Sequence, residues 1–295
     1  MISYDPKEWF LFIFRFHKAD TFRELLPMIV LVGVYTAIIA FFELEYFQLG
    51  KDSAIRNVSV MHTLLGFALS MLLVFRTNTA YDRWWEGRRL WGALNNGSRS
   101  FASKINALLP ENDTENRAFF AAMLGNIAFA LKNHLRDTFH AKEWDEVAEM
   151  SDATAAKQKN LPVMATDVLI QKLIKLKNEG IITDAHLIFL NPEIVGFNDV
   201  IGACERIKNT PIPFSYSVFL KKFIFLYVMT LPFGYAFTLH WYVVVVVMLI
   251  FYALASLELI AEEIENPFGY DANDLPTDQM AAGIRNTVKG ILSNV

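Results

Sequence analysis

Three runs of this chain carry no charged side chain for so long that water is a poor place to put them. Leu25 to Phe42 is almost wholly apolar and meets its first charge at Glu43. Asn57 to Phe75 has His62 as its one titratable group. After Lys222 no full charge appears until Glu258. A helix of about 20 apolar residues crosses the ~30 Å of hydrocarbon in a bilayer. The first two runs each match one crossing. The third is too long for one crossing and about right for two. Leu239, His240 and Trp241 lie at its middle, and Trp suits a membrane interface. The spacing therefore predicts a hairpin of helices over roughly 220–239 and 241–265. The alternative, a soluble core, must bury four such segments without lipid.

The flanks give an orientation. Arg15, Lys18 and Arg23 precede the first run; Arg76, Arg83, Arg88 and Arg89 follow the second; Arg206, Lys208, Lys221 and Lys222 precede the third. The 43–57 connection sets only Lys51 and Arg56 against Glu43, Glu45 and Asp52. Basic flanks stay in the cytoplasm, so four crossings place both termini and the middle there, in a multi-pass protein of the inner (plasma) membrane. The organisation predicted is an N-terminal interfacial or cytoplasmic segment over 1–24 and two spans over 25–80. A helical cytoplasmic region over 81–218, two further spans over 219–260 and a cytoplasmic C-terminal segment over 261–295 follow. WFLFIF, bounded by Lys7 and Arg15, is too short to span and reads as an interfacial or buried helix. The N-terminus has acid as well as base and no small-residue cleavage site, unlike a signal peptide.

Within 81–218 the periodicity is helical over 118–135, 168–180 and 186–207. Gly180 is a helix stop, and Asp113 or Thr114 a cap after Pro110. SDATAAKQKNLP is polar and reads as a loop. No strand pattern or repeat emerges. The net charge of −4 argues against nucleic acid as a partner. A single cysteine, Cys204, excludes an internal disulfide.

GFALSMLLVFRTNTAYDRWWEGRRLWG, residues 66–92, passes from apolar residues to arginine, tryptophan and acid with no helix breaker except Gly87. One helix continuing from lipid into cytoplasm satisfies its own backbone throughout. Phe67, Met71 and Phe75 recur at i+4 and share a slowly rotating face. Gly66, Ser70 and Val74 form a neighbouring face of smaller residues, suited to close packing. The large residues either face lipid or, from several copies, converge on an axis and make a dry neck that gates by excluding water. The Arg and Trp residues at 83–91 either anchor the helix at the interface or pair along it, through Tyr81, Asp82, Arg83 and Glu86.

The run FRTNTAYDRWWEGRRLWG resembles the signature of the bestrophin family in its bacterial branch. CERIKNTPIPFSY (204–216) and AEEIENPFGYDANDLP (261–276) are similar to two further stretches of that family. Order, spacing and the four spans agree over nearly the whole chain. The resemblance implies an all-α integral membrane protein: four transmembrane helices per subunit, a large helical cytoplasmic region and a homopentamer around a central pore. It places the pore neck at Phe67, Met71 and Phe75. Met71 departs from the usual Ile or Phe and is flexible. It suggests Ile194 for a second, cytoplasmic aperture, with core packing as the alternative and Pro192 disturbing the register. Eukaryotic relatives hold calcium in a clasp, and Glu263, Asn266, Asp271 and Asp274 fall at its matching positions. A further carbonyl comes from the N-terminal segment. Hard calcium suits such oxygens, but the relatives' dense acid run is thinned here to YDAND, and the alternative is a helix stop followed by a solvated loop. No other cofactor is implied.

The partners implied are further copies of the chain, small monovalent ions and membrane lipid. Bacterial members have been described as passing cations, and the resemblance leans the reading that way. An anion (chloride) channel of the same architecture is the alternative, and a non-conducting membrane scaffold a more distant one. An enzyme is not expected: the six histidines are scattered, and no nucleophile or metal motif accompanies them. There is no inverted repeat of the carrier kind.

Overall fold

The computed structural model describes residues 21–47, 58–147, 150–151 and 159–293. The expected short helix at WFLFIF, the basic residues Arg15 and Lys18, most of the 43–57 connection and the middle of the polar loop near 152–158 lie outside the described residues. Among those described, the regular structure is helical apart from an isolated bridge between Val147 and Met150. Eight α-helices follow in order: α1 Thr21–Phe41, α2 Val58–Leu108, α3 Thr114–Leu135, α4 Leu161–Asn178, α5 Asp184–Asn209, α6 Phe214–Leu239, α7 Tyr242–Glu265 and α8 Thr277–Ser293. A π-helical turn, Phe42–Tyr46, continues α1, and a 3₁₀ turn covers Ala141–Glu143.

The chain forms two compact units. The first comprises the described residues of Met1–Trp84 with Pro211–Asn266 and Asp271–Asn273. It holds α1, α6, α7 and the first half of α2. Its core is apolar and mostly aliphatic: Ile29 and Val32 from α1, Leu69 and Leu73 from α2, Leu220, Ile224, Val228 and Leu231 from α6, and Val243, Val247 and Phe251 from α7. The outside of these helices is apolar too. Leu26, Val30, Leu31 and Val34 on α1, Phe225 and Leu226 on α6, and Val245 and Leu249 on α7 are all exposed. A surface so uniformly apolar suits hydrocarbon rather than water. α6 and α7 meet at the expected hairpin, where His240 takes φ 49°, a left-handed conformation that closes the turn.

The second unit comprises Trp85–Thr210, Pro267–Tyr270 and the described part of Asp274–Val295. α3 is its axis. Phe120, Met123, Leu124, Ile127 and Leu131 are buried, and so are Asn126, Lys132 and Asn133 between them. The side chain of Asp113 caps α3 by accepting from the Asn116 N–H at 3.1 Å. α4 and α8 pack against α3, and α5 against α4. Gly180, at φ 77°, ends the turn after α4 as its composition predicts.

Among the described residues five helices are, by length and composition, able to cross a membrane: α1 with its π turn, α2, α5, α6 and α7. The sequence suggested four, because α5 mixes its apolar residues with Asp184, Glu193, Asp199 and Glu205. In the structure those apolar residues form one stripe, Leu190, Ile194, Phe197, Val200, Ile201, Cys204 and Ile207, buried in the second unit. α8 had no counterpart in the sequence reading, although Thr277, Ala281, Ile284, Val288 and Leu292 are buried at helical spacing.

Candidate functional site

α2 is unbroken for 51 residues. Gly87 does not interrupt it. A Cβ there would stand 3.1 Å from the Phe268 ring and 3.2 Å from Pro267 Cγ, so a larger residue would press on both side chains inside the second unit.

In the first unit one side of α2 is buried and the other bare. Leu69, Leu73, Arg76 and Ala80 are buried at helical spacing. Phe67, Met71 and Phe75 are 69%, 46% and 59% exposed. Together with Ser70 and Val74 they line a shallow apolar groove. The neighbouring face of small residues thus divides. Gly66 packs closely, since a Cβ would meet the Tyr227 hydroxyl at 2.7 Å. Ser70 and Val74 join the exposed groove instead, and the Ser70 hydroxyl turns back to the Gly66 carbonyl at 2.8 Å.

Several polar ties fix the buried side. His62 Nε2 and Thr230 Oγ1 are 2.9 Å apart. The Tyr216 hydroxyl donates to the Leu72 carbonyl at 2.9 Å. Arg76, 1% exposed, lies with Nη2 at 2.7 Å from Glu265 Oε2 and Nε at 3.5 Å from Glu258 Oε2. Removing one partner of such a buried pair leaves an uncompensated charge and costs about 3–5 kcal/mol. The sequence marked Arg76 as the point where α2 leaves the apolar layer and missed this role. The available signal was the match between one arginine ending an apolar run and the acids 258 and 265 ending another.

The arginines and acids that follow pair across elements. Arg83 Nε donates to the Glu265 carbonyl at 3.0 Å, and Trp84 Nε1 to the Asn273 carbonyl at 3.0 Å. In the second unit Glu86 meets Arg206 at 2.9 Å. Trp91 is buried at 1% exposure, not interfacial, while Arg88 and Arg89 are exposed. Ile194, suggested for the aperture, lies on the buried stripe of α5 at 8% exposure. The exposed apolar residues of that helix are Ile188, Phe189 and Val195.

In the last turn of α7 the Glu263 carboxylate accepts from the Asn273 amide at 2.5 Å, and Asn266 ends the helix. Glu263, Asn266 and Asp271 belong to the first unit and Asp274 to the second. Among the described residues no three His, Cys, Asp or Glu side chains are grouped to hold a metal ion. In the second unit Arg136 Nε donates to the Phe268 carbonyl at 3.0 Å and its guanidinium lies 4.4 Å from the Tyr270 ring centre. Asp278 pairs with Arg136 at 2.7 Å and Lys132 at 2.9 Å. Burial alone would raise the Asp278 pKa, but the hydrogen bonds from Arg136 and Lys132 outweigh it and hold the acid below its ordinary value.

The sequence profile of a family described as bacterial/fungal bestrophin protein matches residues 1–290. A voltage-dependent anion channel-forming protein of Nostoc is 34% identical over 246 residues, 80% of each chain. One of Mesorhizobium japonicum is 31% identical, over 92% of this chain and 86% of its own. A bestrophin homologue of Klebsiella pneumoniae, known from a crystal structure, superposes with a TM-score of 0.82 at 25% identity. That likeness covers 92% of this chain and 99% of the other.

Proposed function

Because this chain belongs to the bestrophin family, in its bacterial and fungal branch, we propose that it forms an ion channel for small anions, with Phe67, Met71 and Phe75 of each subunit making the pore neck. The chain is a membrane protein and not an enzyme. The observation that carries the proposal is the two-sided character of α2: its back is locked by buried polar ties while three large apolar side chains stand bare in the groove they share with Ser70 and Val74. A lipid-facing stripe would be equally bare in one subunit, but would not need so firm a back. Copies of α2 around an axis would close the groove into a dry constriction that opens by wetting.

The lean toward cations is revised. The relatives are named anion channel-forming proteins, which favours the anion alternative. The neck itself names no sign, because apolar rings act on hydration rather than on charge. The finer architecture is part of the same proposal: five copies, with α1, the first half of α2, α6 and α7 crossing the inner membrane and both termini cytoplasmic. α5 is not counted as a span because its apolar stripe is buried among helices of the second unit.

Purified protein in planar bilayers under a KCl gradient tests the reading. Unitary currents reversing near the chloride equilibrium potential support it. Reversal near the potassium potential overturns the anion part alone, and silence overturns the channel. Calcium enters through the resemblance only, with the loop after α7 offering carbonyls and acids. Calorimetric titration decides it: saturable heat weakened by Asp271→Ala supports the clasp, and no heat from the unmutated protein removes it.

A further inference from the structure

Arg76 follows Phe75 directly, so the two side chains leave α2 about 100° apart. Phe75 is bare, and Arg76 is buried against the end of α7. Glu265 is the last residue of α7. A carboxylate is unfavourable there, because unpaired carbonyls already give a helix C-terminus partial negative charge. Its retention requires strong partners, and it has them on α2 and on the segment that leads into α6. Its Oε2 meets Arg76 Nη2 at 2.7 Å, and its Oε1 accepts from the Ile212 N–H at 2.7 Å, just before α6. Its carbonyl accepts from Arg83 Nε at 3.0 Å. One residue therefore grips α2 at two points, two turns apart, and also holds the ends of α6 and α7. In a unit whose core is largely apolar, apolar packing would serve stability as well or better. What the charges add is direction: a planar guanidinium accepts a carboxylate in few orientations.

We propose that Glu265 is a positioning residue that, through Arg76 and Arg83, fixes the rotation of α2 and so the direction in which Phe67, Met71 and Phe75 point. This rests on the reading of that face as the pore neck. Breaking the junction lets α2 turn and alters how often the neck is wet, without changing which ions it admits.

Two variants test it. Glu265→Gln keeps an acceptor for the Ile212 N–H but removes the charge, and Arg76→Lys keeps the charge but loses the fork. Each is expected to shift open probability by at least about fivefold, the low end of a coupling between two sites, with oligomer size and reversal potential unchanged. Exchanging the pair, Arg76→Glu with Glu265→Arg, restores part of the shift. Lys221→Ala, which removes an exposed pair with Glu262 on α6 and α7, leaves open probability unaltered. A second measurement needs no current. In a Cys204→Ala background, the thiol of Phe75→Cys is labelled in detergent with and without Glu265→Gln. A changed labelling rate supports the proposal, and Val30→Cys on α1 serves as the reference. Unaltered open probability together with an unaltered rate overturns it. If the unmutated protein passes no current, the pore reading falls instead, and the labelling rate still decides whether Glu265 orients α2.

Discussion

Arg117 shows how a single side chain can finish an element that sequence patterns leave open. It is 5% exposed, and its guanidinium meets the end of α2 from the start of α3. Nε donates to Asn106 Oδ1 at 2.7 Å, Nη2 to the carbonyls of Asn106 and Leu109 at 3.3 and 3.2 Å, and Nη1 to that of Pro110 at 2.5 Å. The Asn106 carbonyl is one of those that the last turn of a helix leaves without a helical partner, and Leu109 and Pro110 follow directly after α2. Arg117→Ala is expected to cost about 3 kcal/mol, through lost charge-assisted bonds and stranded carbonyls. Arg117→Lys should recover only part, since one ammonium cannot reproduce the fork. Chemical denaturation in detergent measures both. Asp278 gives a pH dependence of known sign. Its folded pKa is depressed by Arg136 and Lys132. Its contribution is therefore fully present above the ordinary carboxylate pKa and is lost as pH falls through the lower, folded value. The unmutated protein should lose thermal stability on acidification from neutral pH to about pH 3, and Asp278→Asn should flatten part of that slope.

The long apolar helices were legible in the sequence because crossing lipid imposes a simple rule, a long run without charge. The α6–α7 hairpin appears at the predicted turn, α1 begins and ends within a few residues of its run, and α2 begins where its run does and continues past it without a break. What could not be read was which neighbour covers a face. Ile194 has helical spacing with apolar residues on both sides of it, and only the packing of α5 shows it to be buried. Arg76 looked like a marker of the membrane boundary, yet it lies inside, opposite acids almost two hundred residues away in sequence. α8 was missed because its buried stripe is built partly of Thr277 and Ala281, which carry little hydropathy. Pro192 was read as a disturbance of register, and α5 runs straight through it from Asp184 to Asn209. Its side chain is exposed, so replacement loses little packing. Pro192→Ala should restore one helical hydrogen bond and stabilise by about 1–2 kcal/mol, the helix gain of about 3 offset by a freer unfolded chain. A higher melting temperature in detergent checks it, and a lower one would mean that the proline is built into α5 by a contact of its own.

At the scale of the whole molecule the question is whether the bare side of α2 meets lipid or other copies of itself. The two arrangements respond oppositely to truncation. If Phe67, Met71 and Phe75 face acyl chains, replacing all three with alanine thins a lipid contact and leaves conduction as it was. If they face one another, the same change widens the constriction and removes the apolar surface that expels water from it. Wetting a narrow apolar passage is a collective event, so the triple variant should act more strongly than its members separately. Its back-side ties, His62 to Thr230, Tyr216 to Leu72 and Arg76 to Glu265, are untouched, so α2 should keep its place. The expected outcome is a larger unitary current and a higher open probability, with the sign of the reversal potential unchanged, because alanine rings no more select charge than phenylalanine rings do. Unchanged conductance and open probability in that variant would turn the stripe outward, and some other face would have to line the pore.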